Sequence, residues 1–89
     1  MAKFVVTGHY CEDVETKRTP YRQAHLAGLT QQKEQGVLIT IGPTQDLTRF
    51  FGIYEADSAD QVKHLIEQDP YWQNGIWTDY EVMAWIQAI

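Results

Sequence analysis

Two residues of this 89-residue chain, His25 and Asp69, are the strongest candidates for chemistry. His25 lies among apolar residues in a segment with helical periodicity. Asp69 lies at the C-terminal end of a second predicted helix, where a carboxylate opposes the helix dipole. An aspartate that accepts a hydrogen bond from one imidazole nitrogen fixes the tautomer, so that the other nitrogen can act as a general acid or base near neutral pH. The pair therefore indicates proton-transfer chemistry.

Both residues also have a purely structural interpretation. A histidine near the apolar stripe of a helix is often a core residue whose polar atoms are simply satisfied. An aspartate before Pro70 often starts an Asx-Pro turn. The two helices of a split β-α-β fold lie side by side, so the two side chains are able to meet, and contact between them would favour the functional interpretation.

Further candidates flank the pair. Arg22 lies one helical turn before His25, and a guanidinium suits bidentate contacts with a carboxylate or phenolate; a surface ion pair is its alternative. Tyr71 and Trp72 follow Asp69-Pro70 and either wall an aromatic substrate or pack in a dimer interface. Cys11 is a poor nucleophile, because its acidic neighbours disfavour the reactive thiolate.

The charge balance excludes several classes of partner. The chain has seven Lys and Arg, 12 Asp and Glu, and a net charge of −5. Nucleic acids and anionic membrane surfaces bind concentrated positive charge, so we expect neither as a partner. No apolar run approaches the ~20 residues of a membrane span, and the N-terminus lacks a signal-peptide pattern. We therefore expect a cytoplasmic protein.

The sequence also contains no recognisable metal or cofactor motif. The single cysteine excludes an intrachain disulfide. His9, Cys11, Asp13 and His64 do not form a spaced ligand set. None of the six glycines belongs to a dinucleotide-binding or phosphate-loop pattern. We expect no metal and no built-in cofactor.

The elements that must position these residues follow the order βαββαβ. Apolar, β-branched and aromatic runs predict strands over residues 3–10, 37–41, 47–55 and 76–86. Thr19 and Pro20 predict the start of the first helix and Gly36 its end. Ser58 and Gln61 form a capping box before the second helix, and residues 11–17 and 71–75 read as loops. We predict one domain over residues 1–89: an α+β ferredoxin-like fold with a four-stranded antiparallel sheet and two helices on one face.

The sheet has a second apolar face. Apolar residues take both parities of the third and fourth predicted strands, although the helices cover only one face. In the last strand, parity places Trp77, Met83 and Trp85 together. Because a large uncovered apolar face usually marks an interface, we predict a homodimer packed through this open sheet face.

Several short motifs occur in order along essentially the whole chain: Arg22-x-x-His25-Leu26, Gly36-x-Leu38-x-x-x-Gly42-Pro43, Asp69-Pro70-Tyr71 and Gly75 before the last strand. Together they resemble the YciI-like family, also called the YCII-related domain. The resemblance implies a dimeric α+β barrel related to muconolactone isomerases and to antibiotic-biosynthesis monooxygenase-like barrels. It also implies that His25 and Asp69 are the active-site pair proposed for the family. One branch of that family eliminates chloride from a chlorinated hydroxyhydroquinone.

These observations lead to three hypotheses. The first is a cofactor-independent isomerase or lyase of dehydrochlorinase type, acting on a small aromatic or lactone-like acid. His25 would be its acid/base, Asp69 would orient His25, and Arg22 and Tyr71 would contact the substrate. The second is a non-catalytic dimer that binds or senses a small ligand at the same place. The third is a structural dimer, which an inaccessible His25 without an adjoining cavity would favour.

Overall fold

The computed structural model describes residues 1–89 and contains four strands and four helices. The strands are β1 (Ala2–Tyr10), β2 (Leu38–Pro43), β3 (Arg49–Ala56) and β4 (Trp77–Trp85). The helices are α1 (Val14–Lys17), α2 (Arg22–Glu34), α3 (Ala59–Gln68) and α4 (Pro70–Gln73). Both α1 and α4 are single turns in segments predicted as loops, so those two loop predictions are wrong. None of the helices has the length and apolar character that a transmembrane span requires.

The four strands form one antiparallel sheet in the order β2-β3-β1-β4. This is the predicted ferredoxin-like βαββαβ arrangement. Alternate residues of the central strands point into the helix-covered core, among them Phe4 and Val6 of β1 and Phe50 and Tyr54 of β3.

Strand β2 differs from its prediction as a strand covered on both faces. It lies at the sheet edge, and after Leu38 its residues are half-buried or exposed. A short apolar run does not distinguish a central strand from an edge strand. The Lys33 ammonium, 3.2 Å from the Ile39 carbonyl oxygen, donates to this edge, and an edge lysine discourages pairing with a foreign strand.

The helix ends are governed by local hydrogen bonds. The N-terminus of α3 matches the prediction, because Ser58 Oγ accepts the Gln61 N–H at 3.2 Å. Gly36, with φ of 80°, ends α2 as predicted. The predicted cap at Thr19 is wrong: its hydroxyl donates to the Glu15 carbonyl at 3.0 Å, and α2 begins at Arg22. Because the Thr19 hydroxyl is bonded to the carbonyl of Glu15 in α1, it does not cap α2.

The second face of the sheet has no helix on it. The strand register places Val5, Ile53 and Met83 side by side across three strands of this open face. Phe51, Met83 and Trp85 are 46%, 40% and 38% exposed. The prediction of apolar residues on both faces is therefore confirmed.

We predict that Gly8→Ala destabilises the protein. A Cβ at Gly8 would lie 2.2 Å from the backbone oxygen of Asp79 and 2.5 Å from Phe50 Cε1. Because a backbone atom cannot move without disturbing the β1–β4 pairing, the free energy of unfolding should fall by about 2 kcal/mol or more. Urea denaturation measures this change.

The control is Gly28→Ala in α2. A Cβ there meets nothing within 4 Å, and alanine should raise the free energy of unfolding by about 0.5–1 kcal/mol through helix propensity. A Gly8→Ala protein as stable as the wild type would contradict the close approach of β1, β3 and β4.

Candidate active site

His25 and Asp69 lie in contact, with His25 Nδ1 2.7 Å from Asp69 Oδ1. His25 comes from the first turns of α2, and Asp69 comes from the junction between α3 and α4. The two residues are only 5% and 6% exposed. Because an ionised carboxylate only accepts hydrogen bonds, Nδ1 donates and the Nε2 lone pair is left free. This is the tautomer that general-base chemistry at Nε2 requires.

Asp69 also has a structural role that its position in the sequence does not reveal. It ends α3 and also caps α4, where its Oδ1 accepts the Tyr71 N–H at 2.8 Å. The structural interpretation of Asp69 as the start of an Asx-Pro turn is therefore met in the form of an N-cap, with Pro70 in the first turn of α4. Asp69 therefore lies at the C-terminal end of α3, as predicted, but the cap of α4 accounts for a carboxylate at this position.

Two polar atoms of the pair are free. Neither His25 Nε2 nor Asp69 Oδ2 has a hydrogen-bond partner within the chain, and neither belongs to the fully buried unpartnered atoms, which are Gln32 Oε1 and Trp77 Nε1. Both free atoms therefore retain contact with solvent. The pair is enclosed, but these two atoms are not fully buried.

Aromatic rings hold the imidazole in place. The Tyr71 ring stacks on His25 with ring centroids 3.5 Å apart and planes 6° from parallel. Trp77 meets His25 edge to face at 5.2 Å, and Phe50 stacks on Trp77 at 4.3 Å. Tyr71, expected to contact substrate, thus lies against the imidazole itself. Such packing restricts the ring to one orientation.

Trp77 reaches this cluster through a β-bulge. Simple alternation predicts Trp77 on the same face as Met83, and that prediction is wrong. Tyr10 of β1 pairs with Trp77 rather than with Thr78, because the register shifts at this point. The extra residue turns Trp77 to the helix face, where it is 2% exposed and its Nε1 has no acceptor. Bulges often re-aim a side chain beside a site.

Two arginines lie within electrostatic reach of Tyr71, which stacks on His25. The predicted Arg22 is exposed, whereas Arg18, which the sequence did not single out, is half-buried after α1. Neither takes part in the three ion pairs of the chain. Burial raises the pKa of the Tyr71 hydroxyl, and the nearby charges of Arg18 and then Arg22 oppose that rise. No sequence signal marks Arg18, because its segment reads as a loop.

Two further phenols lie within electrostatic reach of the Asp69 carboxylate. Burial raises the pKa of Tyr54 and of Tyr10, and the negative charge of Asp69 raises both further. The Trp77 indole N–H opposes the shift at Tyr10. Low-polarity surroundings keep these hydroxyls protonated, so they are available as hydrogen-bond donors.

The surface cavities lie beside the pair rather than over it. The largest, about 580 Å³, is bordered by the end of β1, by α1 and by the β2–β3 turn, and its lining includes Tyr10 and Cys11. None of the three cavities is lined by His25 or Asp69. No group of three or more His, Cys, Asp and Glu side chains is arranged to hold a metal ion.

A second histidine–aspartate contact occurs on the open sheet face. His9 Nδ1 lies 3.0 Å from Asp79 Oδ1, and both side chains are at least half exposed. Exposed ion pairs of this kind contribute little to stability. Of the two pairs, the buried pair is the one in which neighbouring rings restrict the orientation of the imidazole.

The fold and the site together define a class. The chain has the ferredoxin-like architecture of dimeric α/β-barrel proteins, as two solved structures of low identity show. An uncharacterised NIPSNAP domain protein from Burkholderia xenovorans is 17% identical, with a TM-score of 0.56 over 99% of this chain and 95% of that one. An antibiotic biosynthesis monooxygenase is 11% identical, with a TM-score of 0.57 over the full length of both chains.

Within this class, the chain belongs to the YCII-related domain family, whose model matches residues 2–86. It is similar to the 5-chloro-2-hydroxyhydroquinone dehydrochlorinase of Burkholderia phenoliruptrix AC1100, solved in complex with 2,5-dihydroxybenzoquinone. Identity to that enzyme is 27%, with a TM-score of 0.83 over 97% of this chain and 95% of that one. No curated protein sequence matches the chain.

We predict that Asp69→Ala lowers the free energy of unfolding by about 3–5 kcal/mol, because it removes the partner of a buried histidine and the cap of α4 together. Asp69→Asn is the matched control: its amide oxygen can still cap α4, so its loss should be clearly smaller. Chemical denaturation compares the two. Equal losses would show that the cap contributes nothing.

Proposed function

We propose that this protein is a cofactor-independent enzyme that moves protons on a small oxygenated aromatic or lactone-like acid, as an isomerase or a dehydrochlorinase-type lyase. His25 is its general acid/base and Asp69 orients His25. The observation that carries the proposal is the buried 2.7 Å contact between His25 Nδ1 and Asp69 Oδ1, with Nε2 unbonded and not fully buried.

The substrate class is supported by similarity and by the walls of the site. The dehydrochlorinase similar to this chain binds a dihydroxylated quinone. The Tyr71 and Trp77 rings contact the imidazole, and Phe50 stacks on Trp77; planar rings suit an aromatic ligand. Arg22, exposed one turn before His25, is suited to contact a substrate anion.

The chemistry of a dehydrochlorination balances without an oxidant. A phenol proton leaves to His25 Nε2, and a proton is delivered to the ring carbon that bears chlorine. The C–Cl electron pair then departs with chloride as a second hydroxyl proton is lost. The net change is loss of HCl, because reduction at the C–Cl carbon offsets oxidation of the ring. A single acid/base that both accepts and donates protons meets these needs, and typically contributes about 10²–10⁴-fold.

A second candidate is a non-catalytic dimer that binds a small ligand. That no surface cavity of the single chain reaches His25 favours instead the third hypothesis, a structural dimer. Against the structural alternative, Nε2 and Oδ2 are not fully buried. Turnover distinguishes the first candidate from the second.

We also propose a homodimer through the open sheet face. Apolar side chains fill the middle of this face, and charged residues lie towards its ends, where Lys3 and Glu55 form a 3.3 Å ion pair. An apolar centre with a polar rim is typical of protein interfaces.

We predict that His25→Asn abolishes turnover. Asparagine can keep a hydrogen bond to Asp69, but it supplies no acid/base, so kcat for loss of HCl from 5-chloro-2-hydroxyhydroquinone should fall by about 10²–10⁴-fold. Chloride release measures the rate. His64→Asn replaces an exposed histidine of α3 and should leave the rate unchanged. An active His25→Asn protein would contradict the assignment of His25.

For the dimer, we predict that Phe51→Glu gives a monomer, because a charge would be buried in the apolar face. Light scattering at micromolar concentration measures the mass. Leu26→Glu alters a similarly exposed residue of α2 (43% against 46%) and should remain dimeric. A monomeric wild-type protein would refute the proposal.

A further inference from the structure

Two charged side chains of the open sheet face have no ion-pair partner within the chain. The other charged residues of this face are paired with one another: Lys3 with Glu55, and His9 with Asp79. Arg49 of β3 and Glu81 of β4 take part in none of the three ion pairs, and both are exposed. The face therefore presents one free cation and one free anion.

The strand register places Arg49 and Glu81 at opposite corners of a rectangle that is centred on β1. Arg49 pairs with His9 of β1, and Glu81 pairs with Thr7, two residues away on the same strand. Because β1 lies between β3 and β4, it holds the two charges apart on the single chain. Both residues border a depression of about 270 Å³, which leaves room for side chains from outside.

A second copy of the chain can bring these charges together twice. Stacked sheets lie about 10 Å apart, a gap that the long side chains of arginine and glutamate can bridge. Consider a two-fold axis between the sheets that passes midway between Arg49 and Glu81, perpendicular to the line that joins them. Each residue then lies opposite the other residue of the second copy, and such an isologous contact forms two equal pairs.

The same axis also brings apolar surface together. Phe51 is the third corner of the rectangle, because it pairs with Thr7 from the β3 side. With strands about 4.8 Å apart and residues about 3.4 Å apart along each strand, Phe51 lies about 2 Å from the axis. Its exposed ring therefore faces Phe51 of the second copy. Asp79, the fourth corner, also lies near the axis, where its carboxylate already accepts the His9 N–H at 3.1 Å.

We infer that a second copy covers the open face and that Arg49 of each copy forms an ion pair with Glu81 of the other. This inference rests on the homodimer proposed above and names the residues that fix its orientation. The apolar centre supplies most of the contact area. The two charged pairs select one orientation, because electrostatic complementarity across an interface fixes the register and disfavours alternatives.

The test measures dimer dissociation by sedimentation equilibrium at micromolar concentration. Arg49→Glu makes both positions acidic, and Glu81→Arg makes both positions basic. Each variant alone should raise the dimer dissociation constant by about 10²-fold or more, because like charges then meet in both pairs. An equimolar mixture of the two variants should form a heterodimer with nearly the wild-type affinity, because each pair then joins opposite charges.

Two control variants make the same charge changes away from the open face. Lys63→Glu in α3 and Glu34→Arg in α2 alter exposed residues, and both proteins should dimerise like the wild type. A mixture of Arg49→Glu with Glu34→Arg should not restore the wild-type affinity, because one of its two pairs still joins like charges. The unfolding midpoint of each variant shows that it is folded.

The outcomes separate the ion pair from the homodimer. If Arg49→Glu and Glu81→Arg each dimerise like the wild type, the ion pair is refuted and the homodimer stands. If each variant dimerises weakly and their mixture is no tighter, the two residues do not meet across the interface, and the inference is again refuted. A monomeric wild-type protein refutes both the ion pair and the homodimer, and leaves the assignment of His25 to the turnover measurement.

Discussion

One hydrogen bond, from His25 Nδ1 to Asp69 Oδ1, connects the two halves of the chain across 44 residues. The same carboxylate oxygen accepts the Tyr71 N–H and so starts α4, which places the Tyr71 ring flat against the imidazole. Orientation of His25, the turn after α3 and the stacking ring therefore depend on one atom. Because burying a charged group is costly even when it is paired, this arrangement is better explained by the orientation it enforces than by stability.

The β-bulge in β4 also determines the surroundings of His25, from the side of the sheet. It inserts Thr78 into the pairing and brings Trp77 into the core opposite Tyr10. Without the register shift, Trp77 would lie on the open face and Thr78 would take its place against Phe50 and His25. The aromatic enclosure of the imidazole thus depends on one irregularity in the sheet, at the end of β1 where the largest cavity also begins.

The parts of the molecule that were predictable are those determined by neighbouring residues. Ser58 and Gln61 are three residues apart, and Gly36 ends its helix alone, so local patterns reveal both. The single turns α1 and α4 are too short to show periodicity, and the orientation of Trp77 depends on pairing with a distant strand. The contact between His25 and Asp69 could be anticipated from residue type and topology, whereas the position of Arg18 near Tyr71 depends on tertiary structure.

The unpartnered indole N–H of Trp77 bears on whether the buried pair is merely structural. A core selected only for stability would satisfy Trp77 Nε1 or replace the indole with a purely apolar ring, since an unpartnered buried donor is destabilising. Sequences depart from such local rules mainly at functional sites. Here the unpartnered donor belongs to Trp77, whose ring meets His25 edge to face, and the free Nε2 of His25 is not fully buried. Both features lie beside the imidazole, which supports the proposal that the pair is a ligand site and not only a structural contact.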